Sequence, residues 1–141
     1  MTSPPSVSAL RLASLDGPLT NDTVVYTYDE FGRLASRGVT GYVTSYSYDA
    51  LGRRTTVATP VGSYSYAFDG VTSRPLTVTY PNGQSANYTY FGNSGNRLVQ
   101  EIKHLAPGGA ILSKNNYTYD AAFEIKTWTQ QVSANRRTCT S

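Results

Sequence analysis

The stretch that decides the fold is residues 26–34, YTYDEFGRL, in which an aromatic-x-aromatic pair runs into Asp-x-x-Gly. Side chains two positions apart in a strand point to the same face, so Tyr26 and Tyr28 share one side and Thr27 faces the other. Asp29 can accept hydrogen bonds from backbone N–H groups of a turn, and Gly32 adopts positive φ without a Cβ clash. The stretch therefore predicts a strand, a tight turn and a return strand, which together make one β-hairpin.

The same pattern recurs along the chain, and its first three aspartates, Asp29, Asp49 and Asp69, follow one another at intervals of 20 residues. The residues that repeat the motif are Tyr26, Tyr28, Asp29, Gly32 and Arg33; Tyr46, Tyr48, Asp49, Gly52 and Arg53; Tyr66 and Asp69; Tyr88 and Tyr90; and Tyr117, Tyr119 and Asp120. Recurrence at a fixed interval is the mark of a repeat architecture. Each unit is accordingly interpreted as one β-hairpin, with its aspartate as a turn former.

Some units depart from the pattern. Phe91 stands at the aspartate position of the fourth unit, and Phe123 stands at the glycine position of the last turn, which puts the geometry of that hairpin in question. The turn that begins at Asp69 has one extra residue before Arg74 and an early glycine, so we expect it to be wider than the others.

The whole pattern predicts an all-β chain, an antiparallel ribbon of repeated β-hairpins. Residues 1–22 are interpreted as an irregular lead-in, residues 23–131 as the hairpin ribbon and residues 132–141 as a polar, frayed tail. About ten strands are expected, near 23–28, 33–38, 42–48, 53–59, 63–68, 74–80, 84–90, 97–105, 110–119 and 124–131.

Composition excludes several other classes of protein. Only 15% of the 141 residues are charged and 12 are tyrosines, which argues against a disordered chain. No apolar run is long enough to cross a bilayer. The net charge of +3 comes from scattered basic residues, so no nucleic-acid partner is expected.

The residues that could support catalysis or metal binding are few. His104 is the single histidine, and no Gly-x-Ser-x-Gly segment exists to present a serine to it. Cys139 is the single cysteine, so neither an internal disulfide nor a zinc cluster is expected. Each predicted turn supplies one carboxylate, too few for a calcium shell. We therefore expect no enzyme activity, no cofactor and no metal.

Two interpretations of the tyrosines remain open. The first is structural, because aromatic side chains on neighbouring strands pack against one another and stabilise a sheet. The second is a glycan platform, in which sugar rings stack on exposed aromatic rings while Asn87, Asn115 and Asn116 supply hydrogen bonds.

The motif Tyr-x-Tyr-Asp-x-x-Gly-Arg followed by an apolar residue resembles the tyrosine–aspartate (YD) repeat of Rhs proteins, teneurins and the cocoon-forming components of Tc toxins. Residues 26–34 match it closely, residues 46–54 match with an arginine in the last place, and the resemblance extends over about residues 20–131. In that family the repeats form a β-sheet ribbon that spirals into a hollow shell, commonly around a toxic C-terminal domain.

The resemblance implies a structural wall segment whose partners are other YD-repeat strands or the remainder of a shell, with self-association through its sheet edges. A glycan- or cell-surface-binding module is the alternative. The Asp-Pro-x-Gly closing element of many Rhs proteins is absent from this sequence, as is a toxin domain. No classical signal peptide opens the chain, although the resemblance implies a secreted or cell-surface location for a full-length protein.

Overall fold

The computed structural model describes residues 11–132 in full and the backbone of residues 135–140. It contains strands and one short 3₁₀ turn, Asn93–Gly95. The strands are β1 (Ser14–Leu15), β2 (Val24–Tyr28), β3 (Leu34–Val39), β4 (Tyr42–Tyr48), β5 (Arg54–Thr59), β6 (Gly62–Phe68), β7 (Pro75–Thr79), β8 (Ser85–Tyr90), β9 (Val99–Leu105), β10 (Ile111–Tyr119), β11 (Ile125–Val132) and β12 (Asn135–Thr140). The prediction of an all-β chain built from antiparallel hairpins is confirmed.

The chain divides into two compact units, Met1–Ser63 and Tyr64–Ser141, with the boundary inside β6. In the first unit, β1 to β5 lie in chain order and each strand pairs antiparallel with the next. In the second unit, β6 to β12 do the same. Every strand in a unit is therefore half of a hairpin with the strand before it or after it.

Each of the ten expected strands is present, with ends within two residues of those expected. Two further strands occur outside these ten, the first of them just after residues 9–13, where a short strand was considered possible. Ser14–Leu15 in the expected lead-in pairs with β2, and Asn135–Thr140 in the expected frayed tail pairs with β11 over six residues. The tail is polar, but its backbone finds partners on β11, and its threonines have a high β propensity.

The two faces of the strands differ in side-chain size and in exposure. The motif tyrosines of β2 and β4 are half-buried, and the residues between them, Thr27 and Ser47, are exposed, as is Tyr42 at the start of β4. Along β6, Tyr64, Tyr66 and Phe68 alternate with exposed small residues in the same way. This alternation follows from the two-residue period of a pleated strand.

Very little of the described chain is fully buried. Ala86 alone among the described residues is a buried apolar side chain, at 0% exposure. The tyrosine faces are covered only in part, so the strands depend on backbone pairing and on contacts between neighbouring hairpins more than on a closed core.

Candidate functional site

The candidate site is the row of turns at which the repeats contact one another. In the first turn, the Asp29 carbonyl accepts a hydrogen bond from the Gly32 N–H at 2.8 Å, and φ of Gly32 is +73°. Asp29 Oδ1 accepts from the N–H groups of Phe31 (3.0 Å) and Arg33 (2.8 Å), and Oδ2 accepts from Arg33 Nε at 2.6 Å. One carboxylate thus closes the turn and fixes the arginine that follows it.

The second turn repeats this geometry closely. Asp49 Oδ1 accepts from the N–H groups of Leu51 and Arg53, both at 2.9 Å, and Oδ2 accepts from Arg53 Nε at 2.7 Å. Gly52 has φ of +79°. The same five-residue sequence pattern therefore gives the same Asp–Arg clamp twice.

At all five units the strand register shifts by one residue directly before the turn. Each shift is a β-bulge, with one extra residue on the return strand. The shifts lie at Thr27/Tyr28, Ser47/Tyr48, Ala67/Phe68, Thr89/Tyr90 and Thr118/Tyr119. The bulge gives the second aromatic residue of each motif the same position relative to its turn.

Where the second aromatic residue of a motif is a tyrosine, it bridges its hairpin to the one before it. We call these residues the second tyrosines. Their hydroxyl groups donate to backbone carbonyls at the start of the preceding return strand: Tyr28 to Leu12 (2.9 Å), Tyr48 to Leu34 (2.9 Å), Tyr90 to Pro75 (2.8 Å) and Tyr119 to Val99 (2.9 Å). The third unit has Phe68 at this position, which has no hydroxyl group to donate.

Arginines lie over the same tyrosine rings. The guanidinium carbon is 5.4 Å from the ring centroid for Arg11 and Tyr28, 4.5 Å for Arg33 and Tyr48, and 5.9 Å for Arg74 and Tyr90. These distances are within the range of cation–π attraction. Arg33 also donates from Nη1 to the Asp49 carbonyl at 3.3 Å, so it joins its own turn to the next one.

The first tyrosines of the motifs, Tyr26, Tyr46, Tyr66, Tyr88 and Tyr117, are half-buried on the same faces as the second tyrosines. The ring pairs that the structure records are edge-to-face: Tyr64 with Tyr80 and Phe91 with Tyr119, each with centroids 6.1 Å apart at 81°. Tyr46 lies under Arg54, at 4.7 Å. The aromatic packing expected from the sequence is therefore made, among the described residues, by edge-to-face and cation–π contacts.

The remaining turns depart from the clamp. The Asp69 turn is wider, as expected, because the Asp69 N–H donates to Arg74 O, five residues on. Its carboxylate pairs with Arg97 Nη1 at 2.8 Å instead of with the arginine of its own turn. The last turn keeps its hydrogen bond from Phe123 N–H to Asp120 O, and Phe123 adopts φ of +64° in the place of glycine.

The clamps set the charge state of the first two aspartates. Partial desolvation raises the pKa of Asp29, but the hydrogen bonds and the charge of Arg33 outweigh it and leave the pKa below its ordinary value. The pKa of Asp49 is lowered in the same way, against desolvation, through Arg53. Desolvation raises the pKa of Tyr90 and of Tyr119, so these hydroxyl groups stay protonated as donors.

In the second unit, a polar cluster lies on the face opposite the motif tyrosines. Glu101 pairs with Lys103 at 2.7 Å and with Lys114 at 2.5 Å, and its pKa is lowered by them against the effect of desolvation. Asn87 lies opposite Lys103 in the register, and its Oδ1 is buried with no hydrogen-bond partner. This cluster has no counterpart in the motif and was not predicted from the sequence.

His104 and Cys139 are the residues that were considered for catalysis or metal binding. His104 lies in β9 opposite Ala86 and Ser113. Cys139 lies in β12, whose side chains are outside the described part of the structure. Within the described residues, no group of three or more His, Cys, Asp or Glu could hold a metal ion. No helix in that part is long and apolar enough to span a membrane.

One segment that contacts the row of turns was not predicted from the sequence. Residues 11–14, RLAS, are identical to residues 33–36, and Arg11 and Leu12 make the contacts to Tyr28 that Arg33 and Leu34 make to Tyr48. Residues 11–15 thus act as the return strand of a repeat, within the segment interpreted as an irregular lead-in. The tetrapeptide identity was the signal that could have found them.

Comparisons with known proteins find a similarity to a repeat family. A model of the family described as RHS Repeat matches residues 28–64, which contain both Asp–Arg clamps. A search of curated proteins finds no match. Among solved structures, the chain is similar to a porin-like protein from Bacteroides uniformis ATCC 8492, with 16% sequence identity and a TM-score of 0.46. The similarity covers 84% of this chain and 52% of that one, so this chain spans about half its length. The family match confirms the recognition made from the motif: residues 28–64 of this chain match an RHS repeat.

Proposed function

We propose that the chain is a non-catalytic wall segment of an Rhs/YD-repeat shell, and that its function is mechanical. The RHS repeat at residues 28–64 supports a structural repeat module. In this proposal, successive hairpins add edge to edge, and the chain's partners are further YD-repeat strands.

The observation that carries the proposal is the tyrosine bridge between hairpins. Four second tyrosines donate to the preceding return strand, although their turns differ in length and sequence. Because each hairpin uses its predecessor as a docking surface, the contact can be repeated by any further hairpin with the motif. A ribbon that extends in this way suits a wall, in which each unit contacts mainly its neighbours.

The finer part of the proposal is that the shell surrounds a C-terminal cargo in a longer protein. A cargo domain of about 100 residues has a radius of gyration of ~13 Å and an equivalent radius of ~17 Å. Enclosing it once needs ~107 Å of wall, or about 22 strands at a spacing of ~4.8 Å. The twelve strands of this chain supply at most ~58 Å, so further repeats are needed to close a shell.

The test uses the edge of the sheet in the first unit. An unpaired edge strand invites another strand, and a lysine on the edge blocks such pairing. We expect light scattering to give a mass above the 15.3 kDa of one chain, and we expect Leu15→Lys in β1 to lower the associated fraction. The matched control is Val61→Lys, at an 85% exposed position away from that edge. A monodisperse monomer, or equal loss in both variants, would contradict the proposal.

A second candidate function, saccharide binding, is favoured by one observation. A polar depression of about 260 Å³ is lined by Lys114, Asn116, Thr129, Gln130 and Gln131. Asn116, one of the amides considered from the sequence, therefore lines a concave surface. Asn115 does not, and its Oδ1 accepts a hydrogen bond from Trp128 Nε1 at 3.3 Å. The tyrosines lie on the other face, so a sugar here would be held by hydrogen bonds rather than by stacking on them.

A glycan array with the folded chain tests this second function. We expect binding that falls when Asn116→Ala removes the amide, with Asn115→Ala as the matched neighbour that leaves binding unchanged. Signals no higher than background, or equal loss in both variants, would exclude the depression as a sugar site.

A further inference from the structure

The second unit contains an apolar pocket of about 370 Å³ between two consecutive turns. Its apolar lining comes chiefly from Phe91, Leu98, Tyr119 and Phe123, and Asp120 contributes the one charged group. Phe91 meets Tyr119 edge-to-face, at a centroid distance of 6.1 Å.

This pocket lies where a regular repeat holds an arginine. In each turn, the backbone N–H of the residue at the aspartate position donates to the carbonyl of a residue at the start of the return strand. We call the place of that second residue the clamp position. That residue is Arg33 for Asp29 and Arg53 for Asp49, whereas it is Leu98 for Phe91. Arg33 fills the space between its own turn and the ring of Tyr48 in the next repeat. The corresponding space here lies between Leu98 and the ring of Tyr119.

A carboxylate that a regular turn pairs with its own arginine is still present beside the pocket. Asp120 Oδ1 accepts from the N–H groups of Ala122 (2.8 Å) and Glu124 (3.0 Å), as in the regular turns. The clamp position of this turn is Glu124, however, so within residues 11–132 no guanidinium pairs with Asp120. An aromatic ring and a carboxylate therefore border a pocket to which residues 11–132 contribute no cation.

The arginine that adjoins Leu98 in the sequence pairs with groups other than Asp120. Arg97 precedes Leu98, but its Nη1 donates to Asp69 and its Nε to Asn93 Oδ1, each at 2.8 Å. The short 3₁₀ turn Asn93–Gly95 lengthens this loop, and the lengthened loop puts Leu98 at the clamp position instead of Arg97. Within residues 11–132, therefore, no side chain of the chain fills the pocket.

We propose that this pocket receives an arginine side chain from a partner polypeptide, whose guanidinium lies over the Tyr119 ring as that of Arg33 lies over the Tyr48 ring. The planar guanidinium lies against the Tyr119 ring and donates to the Asp120 carboxylate, while Phe91, Leu98 and Phe123 cover the methylene groups. Arginine suits this site better than lysine because a planar guanidinium stacks on an aromatic face and donates through several N–H groups at once.

The test is an NMR titration of the full chain with N-acetyl-arginine amide, observed at the Tyr119 and Phe123 rings. A single side chain makes few contacts, so we expect a saturable shift with a Kd on the order of 10 mM. N-acetyl-citrulline amide has nearly the same shape without the charge, and we expect it to bind at least ~10-fold more weakly. Citrulline binding as tightly as arginine, or no saturable shift at these rings, would overturn the proposal.

Two variants locate the binding. Asp120→Asn keeps an oxygen acceptor for the turn but removes the charge, and we expect it to weaken arginine binding about tenfold. Leu98→Arg supplies the guanidinium within the chain, so we expect it to abolish the shift, whereas Leu98→Met keeps the pocket apolar and retains it. Arginine binding that persists unchanged in Leu98→Arg would show that the cation binds elsewhere and would overturn the assignment.

Discussion

At the scale of single residues, the two tyrosines of a motif have different functions although the sequence does not distinguish them. Tyr48 donates its hydroxyl to Leu34 O, and Tyr46 contributes its ring under Arg54. We expect Tyr48→Phe to lower the free energy of unfolding by about 0.5–1.5 kcal/mol, because a partly buried hydrogen bond is lost. Tyr46→Phe is the matched control, with an expected change near zero. Urea denaturation of both variants checks this, and equal effects would contradict the bridging role.

Phe123 has a backbone conformation that residues other than glycine rarely adopt. It adopts φ of +64° in a turn whose counterparts have glycine, and its side chain is 52% exposed. The left-handed conformation costs a non-glycine residue about 1–2 kcal/mol, and the added freedom of glycine in the unfolded chain offsets part of the gain. We expect Phe123→Gly to stabilise the protein by about 0.5–1 kcal/mol in a thermal melt. Ala121→Gly, in the same turn at ordinary φ, should destabilise it instead.

At the scale of the hairpin, the Asp–Arg clamp makes stability depend on pH. The folded-state pKa values of Asp29 and Asp49 lie below the ordinary value of 3.8, so both carboxylates stabilise the fold above that pH. This contribution is lost as the pH falls from about 5 through 3.8 and further towards the folded-state values.

The double variant Asp29→Asn, Asp49→Asn isolates this effect. Asparagine keeps the oxygen that accepts the turn N–H groups, but it cannot pair with the guanidinium as an anion. We expect the variant's melting temperature to fall less than the wild type's between about pH 5 and pH 2.5. Some acid sensitivity should remain, because Glu101 also has a lowered pKa. An unchanged pH profile would mean that the clamps do not carry the dependence.

The hairpins themselves could be predicted because strand alternation and turn chemistry are local. Residues 45–48 alternate serine with tyrosine and run into Asp49, and the strand expected over residues 42–48 is found at those bounds. The partner of each tyrosine hydroxyl could not be predicted, because it depends on the register between hairpins. Leu98 could not be assigned to the clamp position either, since the 3₁₀ turn before it changes the count of residues.

At the scale of the whole molecule, the small amount of burial has thermodynamic consequences. A sheet normally buries one face against another layer, whereas in the described part of this chain Ala86 alone is fully buried among apolar residues. The denaturant m-value scales with the surface exposed on unfolding and is about 1–3 kcal/mol/M in urea for small proteins. For 141 residues with so little burial, we expect a value at or below about 1 kcal/mol/M.

The same lack of burial makes stability depend on concentration if the edges pair as proposed. Association that involves only the folded chain stabilises it by mass action, so the urea midpoint should rise when the protein concentration is raised about tenfold. Leu15→Lys should reduce that rise, and Val61→Lys should leave it unchanged. A midpoint independent of concentration, with an m-value near 2–3 kcal/mol/M, would mean that the chain buries as much surface as a self-sufficient domain. In that case the chain would not need neighbouring repeats for its stability.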